Sequence, residues 1–178
     1  MAVLIQEVVE AEYAFVIHTV NPLNNRRDEL YAEVVLGLGE TLVGNYPGRA
    51  LSFTCAKTDG QSAVLAYPSK SIGLYGGGLI FRSDSNAEDL AGYAGAGLYE
   101  SVLLEPPREL MLDYTNDPLI WDAGTRTEFF GEIARLGDIV EQVFGAPQDI
   151  EGAFVKGRFH VVQSRPQVGL HNEKIRPD

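Results

Sequence analysis

The sequence predicts an α+β domain with a mostly antiparallel sheet and packed helices. Short segments rich in β-branched and aromatic residues fill the first part of the chain. A loop-rich middle follows, and then one long amphipathic helix and a final pair of strands. This order of elements is typical of the α+β class. The 178 residues are enough for one domain with a core of its own.

The predicted strands have the length and composition of half-buried strands. Their ranges are 2–9, 13–19, 31–36, 48–54, 62–67 and 110–114. A tight link, Glu10-Ala11-Glu12, joins the first two, and the third is closed by the GLGE segment, Gly37 to Glu40. Asn21-Pro22 marks a turn. GLGE could aim Glu40 into a cleft, although a plain turn is the simpler interpretation.

One helix is predicted over residues 125–144. Its apolar residues recur at steps of three and four and form one face. They are Phe129, Phe130, Ile133, Leu136, Ile139, Val140 and Val143. Gly145 suits the C-terminal cap, and Pro147 prevents the helix from continuing.

Charge and composition exclude several classes of partner. The chain has 25 acidic and 14 basic residues, for a formal net charge of -11. Nucleic acid and anionic membranes are therefore not expected as partners, but a nucleotide needs only a few local cations. No apolar run reaches the roughly 18 residues of a membrane span. The single cysteine, Cys55, excludes an intrachain disulfide and is interpreted as a small core residue.

The chain opens directly in strand-like sequence, MAVLIQEVVEAEYAFVIH. No basic region or Arg/Ser-rich transit peptide precedes it, so secretion through a signal peptide is not expected. We predict that Met1 is an internal methionine of a longer protein.

The stretch QDIEGAFVKGRFHVVQSRP predicts a hairpin that carries polar groups on its strands. A two-residue Lys-Gly turn would place Glu151 and Gln163 on opposite faces of the sheet. Lys-Gly is a poor pair for that turn, so a three-residue loop over 155–157 is favoured. Such a loop places Asp149, Glu151, Gln163 and Arg165 on one face.

That face has the chemistry of a metal–phosphate site. Carboxylate and amide oxygens, from Glu151 and Gln163, suit Mg²⁺, and the Arg165 guanidinium suits a phosphate. The alternative is an exposed strand face with a Glu–Arg surface pair.

The middle segment RSDSNAEDLAGYAGAGLYES, from Arg82 to Ser101, is rich in small residues. Small residues let backbone N–H groups approach an anion, and Arg82, Ser83 and Ser85 could add contacts. No Walker A motif is present, and a flexible loop is the alternative. Glu88 and Asp89 could bind a metal, but a solvated pair is the simpler interpretation. The three histidines, His18, His160 and His171, show no catalytic or zinc spacing.

Four stretches together resemble the C-terminal end of an α-glucan water dikinase. They are MAVLIQEVVEAEYAFVIHTVNP, YAEVVLGLGETLVGNYPGRALSF, IFRSDSNAEDLAGYAGAGLYES and PQDIEGAFVKGRFHVVQSRP. The resemblance covers about residues 1–170, and 171–178 form a polar tail. It implies a partial domain with the ATP-grasp-like fold of pyruvate phosphate dikinase and phosphoenolpyruvate synthase.

The resemblance implies a role for each polar group of the hairpin. Glu151 and Gln163 match the residues that hold Mg²⁺ on the phosphates of ATP. Arg165 matches the catalytic arginine that contacts the phosphate being transferred.

The other nucleotide contacts that the resemblance implies are a hinge strand, a cleft carboxylate and a phosphate motif. They are Gln6, Glu7 and Val8 for the adenine-facing hinge, Glu40 for the carboxylate, and Arg82 and Ser83 for the motif. In the related synthases this Arg-Ser-Ser motif precedes the hinge strand, whereas here it follows.

The family reaction implies partners beyond this chain. ATP gives its β-phosphate to a histidine on a swivelling domain, γ-phosphate is released to water, and the phosphohistidine phosphorylates a glucosyl hydroxyl of starch. The phosphohistidine segment, the starch-binding modules and the first nucleotide lobe have no counterpart here, so the full reaction is not expected of this chain alone. By the same resemblance the location is the plastid.

Two function classes remain open. One is the nucleotide-binding part of a glucan water dikinase, and the other is a stand-alone nucleotide- or metal-binding module. A structural β-protein is a third reading, which would gain support if Glu151 and Gln163 lay on opposite faces.

Overall fold

The computed structural model describes residues 2–44, 46–84, 101–168 and 170. The described strands are β1 (Ala2–Glu7), β2 (Tyr13–His18), β3 (Glu29–Leu36), β4 (Leu51–Ala56), β5 (Ser62–Ala66), β6 (Ile72–Tyr75), β7 (Leu79–Asp84), β8 (Ser101–Leu103), β9 (Arg108–Met111), β10 (Gln148–Val155) and β11 (Arg158–Pro166). The described helices are α1 (Glu40–Val43), α2 (Pro118–Trp121) and α3 (Ala123–Phe144).

A six-stranded antiparallel sheet is the centre of the fold. Its strand order is β11-β10-β2-β3-β4-β5, so the C-terminal hairpin lies beside β2. Two smaller antiparallel sheets accompany it, β1-β7-β8 and β6-β9. The α+β class with a mostly antiparallel sheet, as predicted from the sequence, is confirmed.

Helix α3 covers one face of the large sheet and forms the core with it. Asp122 caps its start by accepting hydrogen bonds from the N–H groups of Gly124 and Thr125, and Gly145 ends it in the left-handed conformation. Phe130 stacks on Phe53 of β4 with ring centroids 3.6 Å apart.

The predicted helix is confirmed, and it begins two residues earlier than expected. Its predicted apolar face is only partly buried. Phe129, Phe130 and Ile133 are buried, whereas Ile139 and Val143 are exposed. Within the described part of the chain, no helix has both the length and the apolar character required to cross a membrane.

The segment between residues 71 and 84 holds two strands that the sequence did not predict, β6 and β7. Glycine is depleted in strands, so Gly73 and the Gly76–Gly78 run made this segment look like a loop rather than β6 and β7. Gly73 is tolerated because Leu112 packs where a side chain would lie. The strand predicted over 110–114 is β9, which begins and ends earlier.

The predicted three-residue hairpin loop is wrong. Val155 pairs with Arg158, so the turn has two residues, Lys156 and Gly157, both with positive φ (49° and 75°). A β-bulge between Glu151 and Gly152 then shifts the register by one residue. Because the bulge restores the alternation that the short turn would have broken, the predicted face is confirmed for a different reason.

Candidate functional site

A pocket of about 220 Å³ opens on the face of the large sheet opposite α3. It is lined by Val16, His18, Glu33, Leu42, Asp149, Glu151, Gln163 and Arg165. Seven of these eight residues belong to the strands β2, β3, β10 and β11, and Leu42 comes from α1. The side chains of a rigid sheet therefore make the floor of the pocket, and one short helix adds a wall.

Strand register explains why these side chains converge. Directly opposed residues on neighbouring antiparallel strands share a face. Two rows cross the strands in the order β11, β10, β2 and β3. They are Arg165, Asp149, His18 and Tyr31, and next to it Gln163, Glu151, Val16 and Glu33. Residues between them in sequence, such as Ile17 and Ile150, point into the core.

Glu151 and Gln163 are direct cross-strand partners, so their Cβ atoms lie about 5 Å apart. This spacing lets a carboxylate oxygen and an amide oxygen reach one cation together. Across residues 2–44, 46–84, 101–168 and 170, no three His, Cys, Asp or Glu side chains form a ligand set for a metal. The donors suit Mg²⁺, which keeps several waters and is usually bound through one or two carboxylates plus substrate phosphates.

Arg82 reaches the same two side chains from β7. One terminal nitrogen donates to Gln163 Oε1 at 2.5 Å, and the other lies 3.5 Å from Glu151 Oε2. Its Nε is buried without a hydrogen-bond partner among the described residues. The small sheet thus places a second arginine, besides Arg165, at the edge of the pocket and next to the two oxygen donors.

Asp149 joins two further polar groups. Its Oδ1 lies 2.6 Å from His18 Nδ1, and its Oδ2 lies 3.8 Å from Arg165 Nε. No catalytic or zinc spacing marks His18 in the sequence, and it is not among the predicted site residues. In the structure His18 lines the pocket. Alternation along β2 placed His18 on the face opposite Phe15 and Ile17, but its neighbours depend on long-range pairing.

Tyr31 and Glu33 close the far side of the polar face. The Tyr31 hydroxyl donates to Glu33 Oε1 at 2.9 Å. Burial and this hydrogen bond raise the pKa of Tyr31 to about 12, so it is a neutral donor at physiological pH. With three carboxylates and nearby arginines, the pocket can hold a cation and an anion side by side.

The residues predicted as a hinge lie on β1 and just beyond it. The Gln6 side chain donates to the Val162 carbonyl at 3.3 Å, which connects β1 to the bulged strand β11. The Val8 N–H donates to Gly78 O at 2.9 Å. In an antiparallel pair, residues that bond to the partner strand alternate with residues whose backbone groups point away from it. Because Val8 bonds to Gly78, the backbone N–H and C=O of Glu7 point away from β7.

The remaining predicted residues lie away from the pocket lining or outside the described residues. Glu40 is the first residue of α1, so GLGE leads into a helix rather than a plain turn. Glu40 is partly buried and does not line the pocket, whereas Leu42 does. Ser83 follows Arg82 on β7. Residues 85–100 of the glycine-rich segment, which include Ser85, Glu88 and Asp89, lie outside the described residues, and so does His171.

Comparison with known proteins finds relatives among the dikinases and related synthases. The chain is 58% identical over 170 residues to "Alpha-glucan water dikinase, chloroplastic" of Solanum tuberosum, covering 94% of this chain and 12% of that protein. It is 55% identical to "Alpha-glucan water dikinase 2" of Arabidopsis thaliana, covering 94% of this chain and 13% of the relative. A "Probable phosphoenolpyruvate synthase" of Methanocaldococcus jannaschii is 28% identical over 98% of this chain and 12% of the relative. No protein-family model matches.

These matches confirm the resemblance predicted from the sequence. The chain is homologous to one segment of the α-glucan water dikinases, and more distantly to phosphoenolpyruvate synthases. It spans only 12–13% of the length of the glucan dikinases it matches.

Proposed function

We propose that this chain is the nucleotide-binding segment of a glucan water dikinase, with an ATP-grasp-like fold, and that it holds the phosphates of ATP together with Mg²⁺. The observation that supports the proposal most directly is the shared face of Glu151, Gln163 and Arg165 in one pocket. A structural β-protein does not require a carboxylate, an amide and a guanidinium to meet on a pocket floor. The proposal therefore follows from the side-chain chemistry as well as from the relatives.

Glu151 and Gln163 would hold the Mg²⁺ ion. Their cross-strand pairing fits a cation that takes two protein oxygens and fills its other positions with phosphate oxygens and water. When bound there, Mg²⁺ neutralises charge on the phosphates and favours phosphoryl transfer. Arg82 is positioned to exchange its contact with Gln163 for a phosphate oxygen, since a guanidinium binds phosphate in a planar, bidentate geometry.

Arg165 would contact the phosphate that is transferred, as the catalytic residue of this segment. Its guanidinium stays charged at any physiological pH and stabilises negative charge on the equatorial oxygens. Asp149 Oδ2 lies 3.8 Å from Arg165 Nε, and the Arg165 side chain lines the pocket and is 41% exposed. The hinge residues Gln6, Glu7 and Val8 would face the adenine base, Glu40 would line the cleft, and Ser83 would join Arg82 at the phosphates.

The whole reaction needs parts of the protein outside this chain. The β-phosphate of ATP would pass to a histidine on another domain and then to a glucosyl hydroxyl of starch, and the γ-phosphate would pass to water. ATP, an α-glucan and the phosphohistidine domain are therefore the proposed partners. The names of several relatives include the word chloroplastic, which supports a plastid location.

Calorimetric titration with ATP, with and without Mg²⁺, tests the binding step. We expect Mg²⁺-dependent binding that Glu151→Ala abolishes. Glu128→Ala, which removes an exposed carboxylate from helix α3 on the other side of the sheet, is the matched control and should bind like the parent chain. A folded parent chain without any nucleotide binding would limit the proposal to the longer protein. Equal binding by Glu151→Ala would overturn the metal role.

Phosphotransfer tests Arg165 in a protein of the relatives' full length that carries this segment. Arg165→Ala should abolish glucan phosphorylation but leave the fold intact, because an exposed guanidinium contributes little to stability. Arg158→Ala on the same strand removes an exposed arginine far from the pocket lining and serves as the control. Retained phosphorylation in Arg165→Ala would refute the assigned role.

A further inference from the structure

His18 and Arg165 are held by one carboxylate. Asp149 Oδ1 accepts a hydrogen bond from His18 Nδ1–H at 2.6 Å, and Asp149 Oδ2 lies 3.8 Å from Arg165 Nε. The Asp149 side chain is only 12% exposed, so it has little competition from water. An ionised carboxylate is an acceptor only, which places the His18 proton on Nδ1. His18 is therefore fixed beside the guanidinium that the proposed function assigns to the transferred phosphate.

The orientation of the ring leaves its second nitrogen available. Nδ1 is directed to Asp149, and the ring lies beside Tyr31 with centroids 5.9 Å apart. Hydrogen bonds among the described residues give Nε2 no partner. His18 lines the pocket and its side chain is 27% exposed. The Nε2 lone pair is thus in reach of a molecule bound there.

We propose that His18 accepts the proton of the water that attacks the terminal phosphate of the nucleotide, and that Asp149 is the positioning residue for His18 and Arg165. This inference depends on the proposed function, because it concerns the water-consuming step of that reaction. A histidine whose Nδ1 is bound to a carboxylate and whose Nε2 faces a reacting group is a common general-base arrangement.

The step balances as follows. The water oxygen forms a bond to the γ-phosphorus, and the bond from that phosphorus to the bridging oxygen breaks. The bridging oxygen keeps the electron pair and stays on the β-phosphate. One water proton moves to His18 Nε2, the imidazolium is stabilised by Asp149, and the proton then leaves to solvent.

Charged and titratable groups from four strands surround this part of the pocket. The groups that face this part of the pocket are Tyr31 and Glu33 on β3, Asp149 and Glu151 on β10, Arg165 on β11 and Arg82 on β7. Leu42, the pocket residue from α1, carries no charge. An imidazolium formed in this step would lie beside the Asp149 carboxylate, whose other oxygen lies 3.8 Å from Arg165 Nε.

His18→Asn tests the proposal in a protein of the relatives' full length. The asparagine amide can still donate to Asp149 but has no basic nitrogen at the Nε2 position. We expect ATP-dependent phosphate release to fall by about 100-fold or more, with Mg²⁺-nucleotide affinity kept within about twofold of the parent. The acidic limb of the pH–rate profile should disappear. His160→Asn, the same change on β11 outside the pocket lining, should behave like the parent.

His18→Gln is a second variant if the asparagine protein does not fold. Its amide reaches the Nε2 position but cannot take a proton, so the same loss is expected. Asp149→Asn should lower the rate and shift the acidic limb. If His18→Asn releases phosphate within about threefold of the parent with an unchanged pH profile, His18 is only a packing residue. Loss of nucleotide binding in His18→Asn would also overturn the proton-accepting role. A full-length parent protein that neither binds nucleotide nor releases phosphate would instead refute the proposed function itself.

Discussion

Gly152 lies between the pocket residue Glu151 and the core residue Phe15, and its replacement by alanine should destabilise the protein. It lies at the bulge, next to Glu151 in sequence and directly over Phe15 of β2. An added Cβ would lie 2.2 Å from Phe15 Cζ, 2.3 Å from Phe15 Cε2 and 2.7 Å from the backbone oxygen of His160. Carbon atoms in contact are normally about 3.5–4.0 Å apart, so the ring has to move by more than about 1 Å.

The packing around Phe15 sets the size of the effect. Phe15 is 1% exposed and packs against Phe159, with ring centroids 5.9 Å apart. Overpacking of a core costs about 1–3 kcal/mol, and the additional contact with a backbone oxygen places Gly152→Ala near the upper value of about 3 kcal/mol. For a chain of this size, about 3 kcal/mol lowers Tm by about 6–12 °C. Thermal and urea denaturation followed by circular dichroism would measure it.

Two further variants make this prediction specific. Gly131→Ala on helix α3 adds the same methyl group where, apart from the backbone of its own helix and its chain neighbours, no described atom lies within 4 Å. It should stabilise the chain by about 0.5–1 kcal/mol. Phe15→Leu in the Gly152→Ala background should cost less than the sum of the two single changes. An unchanged Tm in Gly152→Ala, or strict additivity with Phe15→Leu, would show that the bulge is not packed against Phe15 as described.

Three other changes test the core, the polar face and the edge of the pocket. Phe130→Ala should lower the free energy of unfolding by about 3–5 kcal/mol, because this 1% exposed ring stacks on Phe53; a smaller loss in urea titrations would contradict the stacking. Because the pKa of Tyr31 is raised in the folded state, its contribution to the free energy of unfolding is present below pH 10 and is lost as pH rises toward 12. In Tyr31→Phe the free energy of unfolding should therefore depend less on pH in that window. An unchanged alkaline unfolding curve would refute this. Arg82→Met should strengthen binding of Mg²⁺ alone, because Glu151 loses its nearest cation, yet weaken ATP binding; calorimetry in which both affinities fall would contradict competition between Arg82 and the metal.

The elements that could be predicted depend on neighbours in the chain. Helix α3 follows from its apolar spacing and from its stop at Gly145, and β2, β3 and β10 follow from composition. The shared face of Glu151 and Gln163 was predicted correctly, but from the wrong loop length. The bulge that produces it depends on Gly152 meeting Phe15, a residue more than a hundred positions earlier, and local patterns carry no information about that contact.

Local sequence therefore specified β2, β3 and β10, the long helix and the chemistry of the hairpin, because dihedral preferences and alternation act over a few residues. Long-range packing alone brought Arg82 to Gln163, 81 residues away, and His18 to Asp149, 131 residues away. The contacts of a histidine in a strand cannot be predicted until the neighbouring strand and its register are known. Register between distant strands is set by how their side chains fill a common core, and that is a property of the folded chain as a whole.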